Sequence, residues 1–227
     1  MTEDMKYFYL RNHPMLELLP EQKLREAASI AKLRNVPRGN LISFGEEGAT
    51  RIHFLVKGTV KIIAENGHPE NESIKDILMD PDIFGDLGLE GKLSNEETAV
   101  ALTDNTIICS FFVSEFRGVL EANPLMFLGF VKKVNCKLQR LAKRHADLVF
   151  LDARDRLIRF IRNWARSNGN RVGDKIVLKN YLTHRDIASF IATSRQNVNM
   201  LLNEFKSSGL LHYDRQHIEL HNLIIWN

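Results

Sequence analysis

Three polar side chains follow a residue that could begin a helix. Arg195, Gln196 and Asn199 follow Ser194, a residue type that favours the position just before a helix. Arginine can form two hydrogen bonds with guanine, and glutamine or asparagine can form two with adenine. An α-helix fits the major groove, where side chains on its first turns reach the base edges. These three residues are therefore predicted to contact bases.

A second polar group flanks two predicted helix starts. Hydroxyls, side-chain amides and the backbone N–H groups at helix N-termini commonly contact DNA phosphates. The residues predicted to contact phosphates are Thr183, Arg185, Ser194 and Asn197. An exposed polar face is usually only solvated, so both predictions depend on the elements around these residues.

Two helices and a tight turn must position these side chains. Thr183 followed by Asp186 has the form of a capping box, which predicts a helix start. Ala192 and Thr193 would form the turn, and Gly209 would end the second helix. Apolar segments at 210–213 and 218–220 predict a β-hairpin wing after it. The second helix would bury one apolar face, made of Val198, Leu201, Leu202 and Phe205.

The charge distribution agrees with DNA binding in this region. The net charge of the 227 residues is +3, but residues 150–227 hold 12 Lys and Arg against 7 Asp and Glu. The basic surplus therefore lies wholly in the C-terminal third. Phosphate neutralisation drives nucleic-acid binding, so this third is where DNA is expected to bind.

A coiled-coil pattern precedes the basic region. After Pro124, a residue suited to a helix start, apolar residues recur at alternating steps of four and three. Pairing with a second copy would bury this seam, whereas the alternative is packing on the chain's own β domain. The sustained spacing favours a homodimer. The predicted seam residues are Phe127, Val131, Val134, Leu138, Leu141, His145 and Leu148.

The remainder of the chain changes character near residue 37. Residues 1–36 are predicted to be helical, and residues 37–122 contain short apolar runs between turn signals, including the hairpin signal Asn66-Gly67. Many short strands at close spacing predict a β-barrel or sandwich. The expected class is α+β, with a β-rich domain at 1–123, a dimerisation helix at 124–150 and a winged helix-turn-helix domain at 151–227.

Other kinds of chemistry find little support. Cys109 and Cys136 are too few and too distant for an iron–sulfur cluster or a zinc site, so no metal is expected. An enzyme on a cupin-like barrel would need more histidines than His53 supplies, and no nucleophile–base pair stands out. A barrel that only binds a partner protein is another alternative. The chain lacks a secretory signal and a membrane-spanning run, so no membrane partner and a cytoplasmic location are expected.

Several segments together resemble a known family. The residues ATSRQNV at 192–198, followed by GLL at 209–211, resemble the winged helix of the CRP/FNR transcription regulators. Residues 38–42, 55–61 and 81–87 resemble the cyclic-nucleotide-binding-type jelly roll, a double-stranded β-helix, of that family. The resemblance implies a sensor domain, a long dimerisation helix and a DNA-binding domain. It also implies regulation of transcription through double-stranded DNA and contact with RNA polymerase.

The candidate effector pocket departs from the family pattern. Gly85, Asp86 and Leu87 match its phosphate-binding turn, but Glu97-Thr98 replaces the pair of Arg and Ser or Thr. A carboxylate repels a cyclic phosphate, so we expect no ordinary cyclic-nucleotide binding, no cofactor and an effector that is unknown. The alternatives are a cyclic-nucleotide-responsive regulator and a haem-based gas sensor.

The haem alternative depends on the histidines of the chain. A haem would need an axial ligand, for which His53 and His145 are the candidates.

In the recognition helix Gln196 replaces a family Glu, and Met200 replaces a later Arg. Because glutamine prefers adenine where glutamate accepts from cytosine, a different half-site is predicted, still within an inverted repeat.

Overall fold

The computed structural model describes residues 2–46, 48–64, 73–91, 97–214 and 216–221. The chain divides into two compact units, Met1–Gln139 and Arg140–Asn227. One element, the 27-residue helix α4 (Pro124–Phe150), contributes residues to both. The prediction that the functional domains end at 123 and 150 stays a prediction.

The first unit is a two-sheet β sandwich with helices at its start and end. Its elements are α1 (Glu3–Arg11), α2 (Glu21–Ile30), β1 (Lys32–Val36), β2 (Leu41–Ser43), β3 (Gly45–Glu46), β4 (Ala49–Lys57), β5 (Thr59–Ala64), β6 (Ser73–Met79), β7 (Asp82–Gly85), β8 (Glu97–Ala101), β9 (Thr106–Phe112) and α3 (Val113–Glu121). One sheet has the order β1-β9-β4-β3 with β7 also on β4, and the other has the order β2-β8-β5-β6. All these pairings are antiparallel.

Apolar residues fill both faces of the β1-β9-β4 sheet. One core lies between the two sheets and includes Leu55, Ile108 and Ala99. The other lies between this sheet and the helices, where the Phe54 ring meets Phe111 at 5.4 Å between centroids. Strands buried on both faces explain why β4 and β9 are nearly continuous apolar runs in the sequence.

One prediction for the N-terminal region was wrong. Residues 1–36 were expected to be helical, but Lys32–Val36 forms strand β1, paired along its length with β9. Helix α2 ends at Ile30, so the chain is free to form this strand, and Leu33 and Val36 are buried in it. The predicted hairpin turn Asn66-Gly67 lies outside the described residues, although β5 and β6 on either side of it pair antiparallel.

The second unit combines three helices with a small sheet. After the end of α4 come α5 (Ala153–Asn168), β10 (Asn170–Val172), β11 (Lys175–Lys179), α6 (His184–Phe190), α7 (Arg195–Ser207), β12 (Leu211–Tyr213) and β13 (His217–Leu220). The strands form one sheet in the order β10-β11-β13-β12. Trp164 of α5 and Phe205 of α7 are among the largest fully buried side chains. None of the described helices is both long and apolar enough to cross a membrane.

Candidate DNA-binding interface

The start of α6 is fixed by the predicted capping box. The Thr183 hydroxyl accepts a hydrogen bond from the Asp186 backbone N–H at 3.1 Å, and the Asp186 carboxylate accepts one from the Thr183 N–H at 2.9 Å. The same hydroxyl donates to the Asp186 carboxylate at 2.6 Å. The Thr183 hydroxyl and the Asp186 N–H are thereby both engaged within the chain.

An arginine from α5 holds the turn between α6 and α7. Arg156 donates from Nε to the Ile191 carbonyl at 2.8 Å and from Nη2 to the Ala192 carbonyl at 3.2 Å. Its Nη1 donates to the Leu151 carbonyl at 2.6 Å. Ala192 adopts a positive φ of 53°, a conformation that L-residues adopt at some cost. Nothing in the local sequence pattern links residue 156 to residue 191, so this contact could not be predicted from the sequence.

Helix α7 begins at the predicted cap. The Ser194 Oγ accepts a hydrogen bond from the Asn197 backbone N–H at 3.0 Å. The Asn197 side-chain amide donates to Thr193 Oγ1 at 2.9 Å, which stabilises the turn. Ser194 and Asn197 thus have structural roles at the site where they were predicted to contact phosphate.

The first turns of α7 present a polar outer face. Arg195, Gln196 and Asn199 are exposed, and within the described part of the chain none of their side chains forms a hydrogen bond or ion pair. Arg195 lies close enough to His184 on α6 to affect it. Partial burial of His184, and then the positive charge of Arg195, lower the pKa of this histidine. The imidazole is therefore neutral at pH 7, and the charge at this end of the helix comes from Arg195.

The wing is attached to the far end of α7. The Tyr213 hydroxyl on β12 donates to Asn203 Oδ1 at 3.1 Å, and the Lys206 ammonium lies 5.6 Å from the centre of the Tyr213 ring. In the turn after β12, the Asp214 carboxylate accepts hydrogen bonds from the N–H groups of Gln216 and His217, which lower its pKa. These contacts fix the wing against the recognition helix.

The candidate effector residues lie on opposite sheets of the sandwich. Gly85, at the end of β7, has a φ of 98°, and a Cβ there would lie 2.4 Å from the Arg51 carbonyl, so only glycine fits. The Asp86 carboxylate accepts hydrogen bonds from Thr50 Oγ1 at 2.7 Å and the Gly91 N–H at 3.0 Å. The turn 85–87 is therefore maintained by contacts within the chain.

The other two candidate pocket residues lie at the start of β8, on the second sheet. Glu97, at the start of β8, forms an ion pair with Lys75 of β6, and Thr98 pairs with Ser43 and Ile63 on the neighbouring strands. The Lys75 ammonium is thus already paired with a carboxylate of the protein.

The buried side chain of His53 is unsuited to hold a haem. It is fully buried between the sheets, with Nδ1 2.7 Å from Ser110 Oγ and Nε2 3.2 Å from the Ser43 carbonyl. Its ring stacks on Phe84 at 4.9 Å, and burial lowers its pKa to about 3. A neutral ring that donates to Ser43 and accepts from Ser110 leaves neither nitrogen for iron. His145, the other candidate, is exposed on α4.

The predicted seam lies on the open side of α4. Phe127, Val131, Leu138, Leu141 and Leu148 are between 39% and 62% exposed, and His145 is exposed as well. Val134 is partly buried against the core of the first unit. A different face of α4 packs into that core, where Met126 and Phe130 are buried.

Two lysines fix the helix to the sandwich beside this stripe. Asp82 of β7, which is almost fully buried, forms ion pairs with the ammonium groups of Lys133 at 3.3 Å and Lys137 at 3.4 Å. Lys133 also donates to the Pro81 carbonyl at 3.0 Å. Phe127, Val131 and Leu138 of the seam are left exposed by the first unit, whereas Val134 packs partly on it.

Comparison with known proteins identifies the family that has this architecture. The model of a Crp-like helix-turn-helix domain matches residues 155–223, and that of a cyclic nucleotide-binding domain matches residues 33–123. The chain belongs to the CRP/FNR family. Its members are transcription regulators with a helix-turn-helix DNA-binding domain, and they act as dimers. The predictions of this family, of a jelly-roll, long-helix and winged-helix fold, and of a DNA-binding regulator are confirmed.

Individual CRP/FNR relatives are distant but cover most of the chain. The chain is 23% identical over 176 residues, 77% of each protein, to the cAMP-activated global transcriptional regulator CRP of Haemophilus influenzae. It is 26% identical over 186 residues to the global nitrogen regulator of Nostoc sp., covering 81% of this chain and 82% of that protein. The structure of a CooA mutant from Carboxydothermus hydrogenoformans matches with a TM-score of 0.70, 25% identity and 87% coverage of both chains.

Membership of the CRP/FNR family does not by itself identify the effector of this regulator. Its relatives differ in what their names say they respond to, and the residue at 97 differs from the cyclic-nucleotide pattern. Within the described residues, no group of three His, Cys, Asp or Glu side chains could hold a metal ion.

Proposed function

We propose that this regulator binds an inverted-repeat operator as a homodimer and reads its bases through α7. The observation that carries the proposal is the outer face of that helix, where Arg195, Gln196 and Asn199 are exposed and unengaged within the described residues. Arg195 suits a guanine, and Gln196 and Asn199 suit adenines. The Ser194 cap and the Arg156 contacts support the proposal, because they hold this face rigidly.

The exposed seam of α4 supports the homodimer. Five apolar side chains with coiled-coil spacing face solvent in the single chain, and a second copy of α4 would cover them. An isologous dimer has a two-fold axis, so the two recognition helices would read half-sites related by the same axis. The half-sites are expected about one helical turn of DNA apart.

The proposed phosphate contacts rest on backbone groups more than on side chains. Thr183, Ser194 and Asn197 form caps and turn contacts, which orient the N–H groups of α6 and α7 toward the phosphates. Arg185, exposed on the first turn of α6, would add a charge. RNA polymerase is the proposed protein partner, by family resemblance, and the cytoplasm is the proposed location.

We further propose that the effector is not an ordinary cyclic nucleotide. The carboxylate of Glu97 supports this, since it lies at the start of β8 where the family pattern has an arginine, and a carboxylate repels a cyclic phosphate. The alternative, a cyclic-AMP-responsive regulator, is favoured by the names of several relatives. Isothermal titration calorimetry with cyclic AMP separates the two. Absence of binding at millimolar ligand supports the proposal, and micromolar binding contradicts it.

The DNA-binding proposal is tested by sequencing genomic fragments retained by the purified full-length protein. Wild type is expected to enrich an inverted repeat. Arg195→Ala should weaken binding to that repeat by about 5- to 150-fold per half-site, the range for one lost bidentate contact of about 1–3 kcal/mol. Arg117→Ala, which removes an exposed charge from α3 in the other unit, is the matched control and should bind normally. Equal binding by both variants would contradict the role of Arg195.

A further inference from the structure

One apolar side chain interrupts the polar outer face of α7. Met200 is 58% exposed, although the buried face of the helix is complete without it: Val198, Leu201, Leu202 and Phe205 are all at most 5% exposed. A long apolar side chain in water gains nothing from that position in the isolated chain. Exposed single hydrophobic residues are common, so its meaning depends on its neighbours.

Its neighbours are the side chains proposed to face DNA. At 3.6 residues per turn, Gln196, Asn199, Met200 and Asn203 fall within an arc of about 100° on the helix. Met200 stands one turn beyond Gln196, and all four side chains are exposed. The Oδ1 of Asn203 is already engaged by the Tyr213 hydroxyl, so Met200 is the more open group on this turn. A helix that lies in the major groove with Gln196 at a base edge brings Met200 to the groove floor as well.

The major groove offers one apolar group to such a side chain. Thymine carries a C5-methyl group there, and apolar contact with this methyl is how proteins recognise thymine. Methionine is unbranched and flexible, so its terminal methyl and sulfur can adjust to a methyl on the DNA. The side chain cannot donate a hydrogen bond, and its sulfur is only a weak acceptor, so it would discriminate poorly by any other contact.

We propose that Met200 is a specificity-determining residue that recognises the methyl group of a thymine within about two base pairs of the base read by Gln196. The inference rests on the proposed function of α7 as the recognition helix. It predicts that part of the operator specificity is apolar and independent of hydrogen bonding.

Replacing thymine by deoxyuridine tests this directly, because it removes the methyl and keeps every hydrogen-bonding group of the base pair. Each thymine of the selected operator is replaced in turn, symmetrically in both half-sites, and binding of the full-length protein is measured by fluorescence anisotropy. At one position, wild type should lose about fourfold per half-site, the value of one buried methyl-sized group. Met200→Leu should keep this dependence, and Met200→Gln should lose it at that position.

A matched control separates surface polarity from base recognition. Val172, 60% exposed on β10, is the comparable apolar residue away from α7, and Val172→Gln should keep the wild-type methyl dependence. The inference is overturned if no deoxyuridine substitution weakens wild type, or if Met200→Gln responds as wild type does. If the Met200 inference is overturned but wild type binds its operator and Arg195→Ala reduces that binding, the proposed function is still supported. If wild type selects no DNA, the proposed function and the Met200 inference are both wrong.

Discussion

Two buried histidines, His13 and His53, make the first unit sensitive to acid. Both are almost inaccessible to solvent, and burial is the main cause that lowers their pKa values, to about 4 for His13 and about 3 for His53. The ring of His13 meets Phe54 edge-on at 5.0 Å, and that of His53 stacks on Phe84. Both rings are therefore neutral in the folded protein throughout the physiological range.

The pH dependence of stability follows from these values. Above pH 6.5 the histidines are neutral in the folded and unfolded states, so the free energy of unfolding is at its full value. Below pH 6.5 the unfolded chain binds protons that the folded chain does not, and stability falls until the folded pKa is reached. The slope approaches about 1.4 kcal/mol per pH unit for each histidine.

Urea unfolding at pH 7.5, 6.5 and 5.5, followed by circular dichroism, measures this slope. His53→Gln should be less stable than wild type at pH 7.5 but should lose less stability on acidification, because one of the two histidines is absent. An unchanged slope in the variant would show that His53 does not titrate as described.

Ser194 is predicted to serve both folding and DNA binding. Its hydroxyl caps α7, so Ser194→Ala should lower the free energy of unfolding by about 1 kcal/mol. Aspartate also caps helices, so Ser194→Asp should keep the stability. The added negative charge would, however, repel the phosphate expected at this helix start, and DNA affinity should fall. Thermal unfolding and anisotropy on the same variants separate the roles; DNA affinity equal to wild type in Ser194→Asp would contradict a phosphate contact there.

Residue types predicted some of these contacts and not others. Thr183 and Asp186 follow a local pattern three residues apart, so the capping box could be read from the sequence. The Lys75–Glu97 pair and the contact of Arg156 with the 191–192 turn join residues far apart in the chain. Such contacts depend on strand pairing and helix packing, which the sequence pattern does not specify.

At the scale of elements, α4 carries two different stripes. One contains Met126 and Phe130 and belongs to the core of the first unit, while Asp82 fixes Lys133 and Lys137 beside it. The other is the exposed seam. The spacing of the seam could be read from the sequence, but not the presence of a second apolar stripe, since Leu125, Met126, Leu128 and Phe130 blur the pattern at the start of the helix.

Substitution in the seam should separate dimerisation from folding. Leu138 is 62% exposed in the single chain, so Leu138→Lys should leave the fold and its circular dichroism spectrum intact. In a dimer the same change would place two charges in an apolar interface, which should convert the protein to a monomer at micromolar concentration. Sedimentation velocity measures the outcome.

Gln139→Lys provides the control for this experiment. Gln139 is an exposed neighbour outside the predicted seam. The Gln139→Lys protein should remain a dimer although it carries the same added charge. A dimer of unchanged strength in Leu138→Lys would show that another surface joins the two copies.

At the scale of the whole molecule, the order of architectures could be predicted better than the boundaries between them. The change to a 3.5-residue period near Pro124 marks the start of α4, which the structure places at that residue, but the short helix α3 that precedes it lies in the region predicted to contain only strands. The strand at residues 32–36 pairs with β9, which lies 70 to 78 residues further along the chain. Local propensity could not reveal it.

The most direct test of the central claim is the number of chains bound to one operator. Native mass spectrometry of the protein with its selected duplex should show two chains per inverted repeat, and affinity should fall steeply on a single half-site. Leu138→Lys should bind the full operator as weakly as wild type binds the half-site, because its two recognition helices are no longer joined. One chain per duplex with full affinity, or equal affinity of wild type for half and whole sites, would contradict the account.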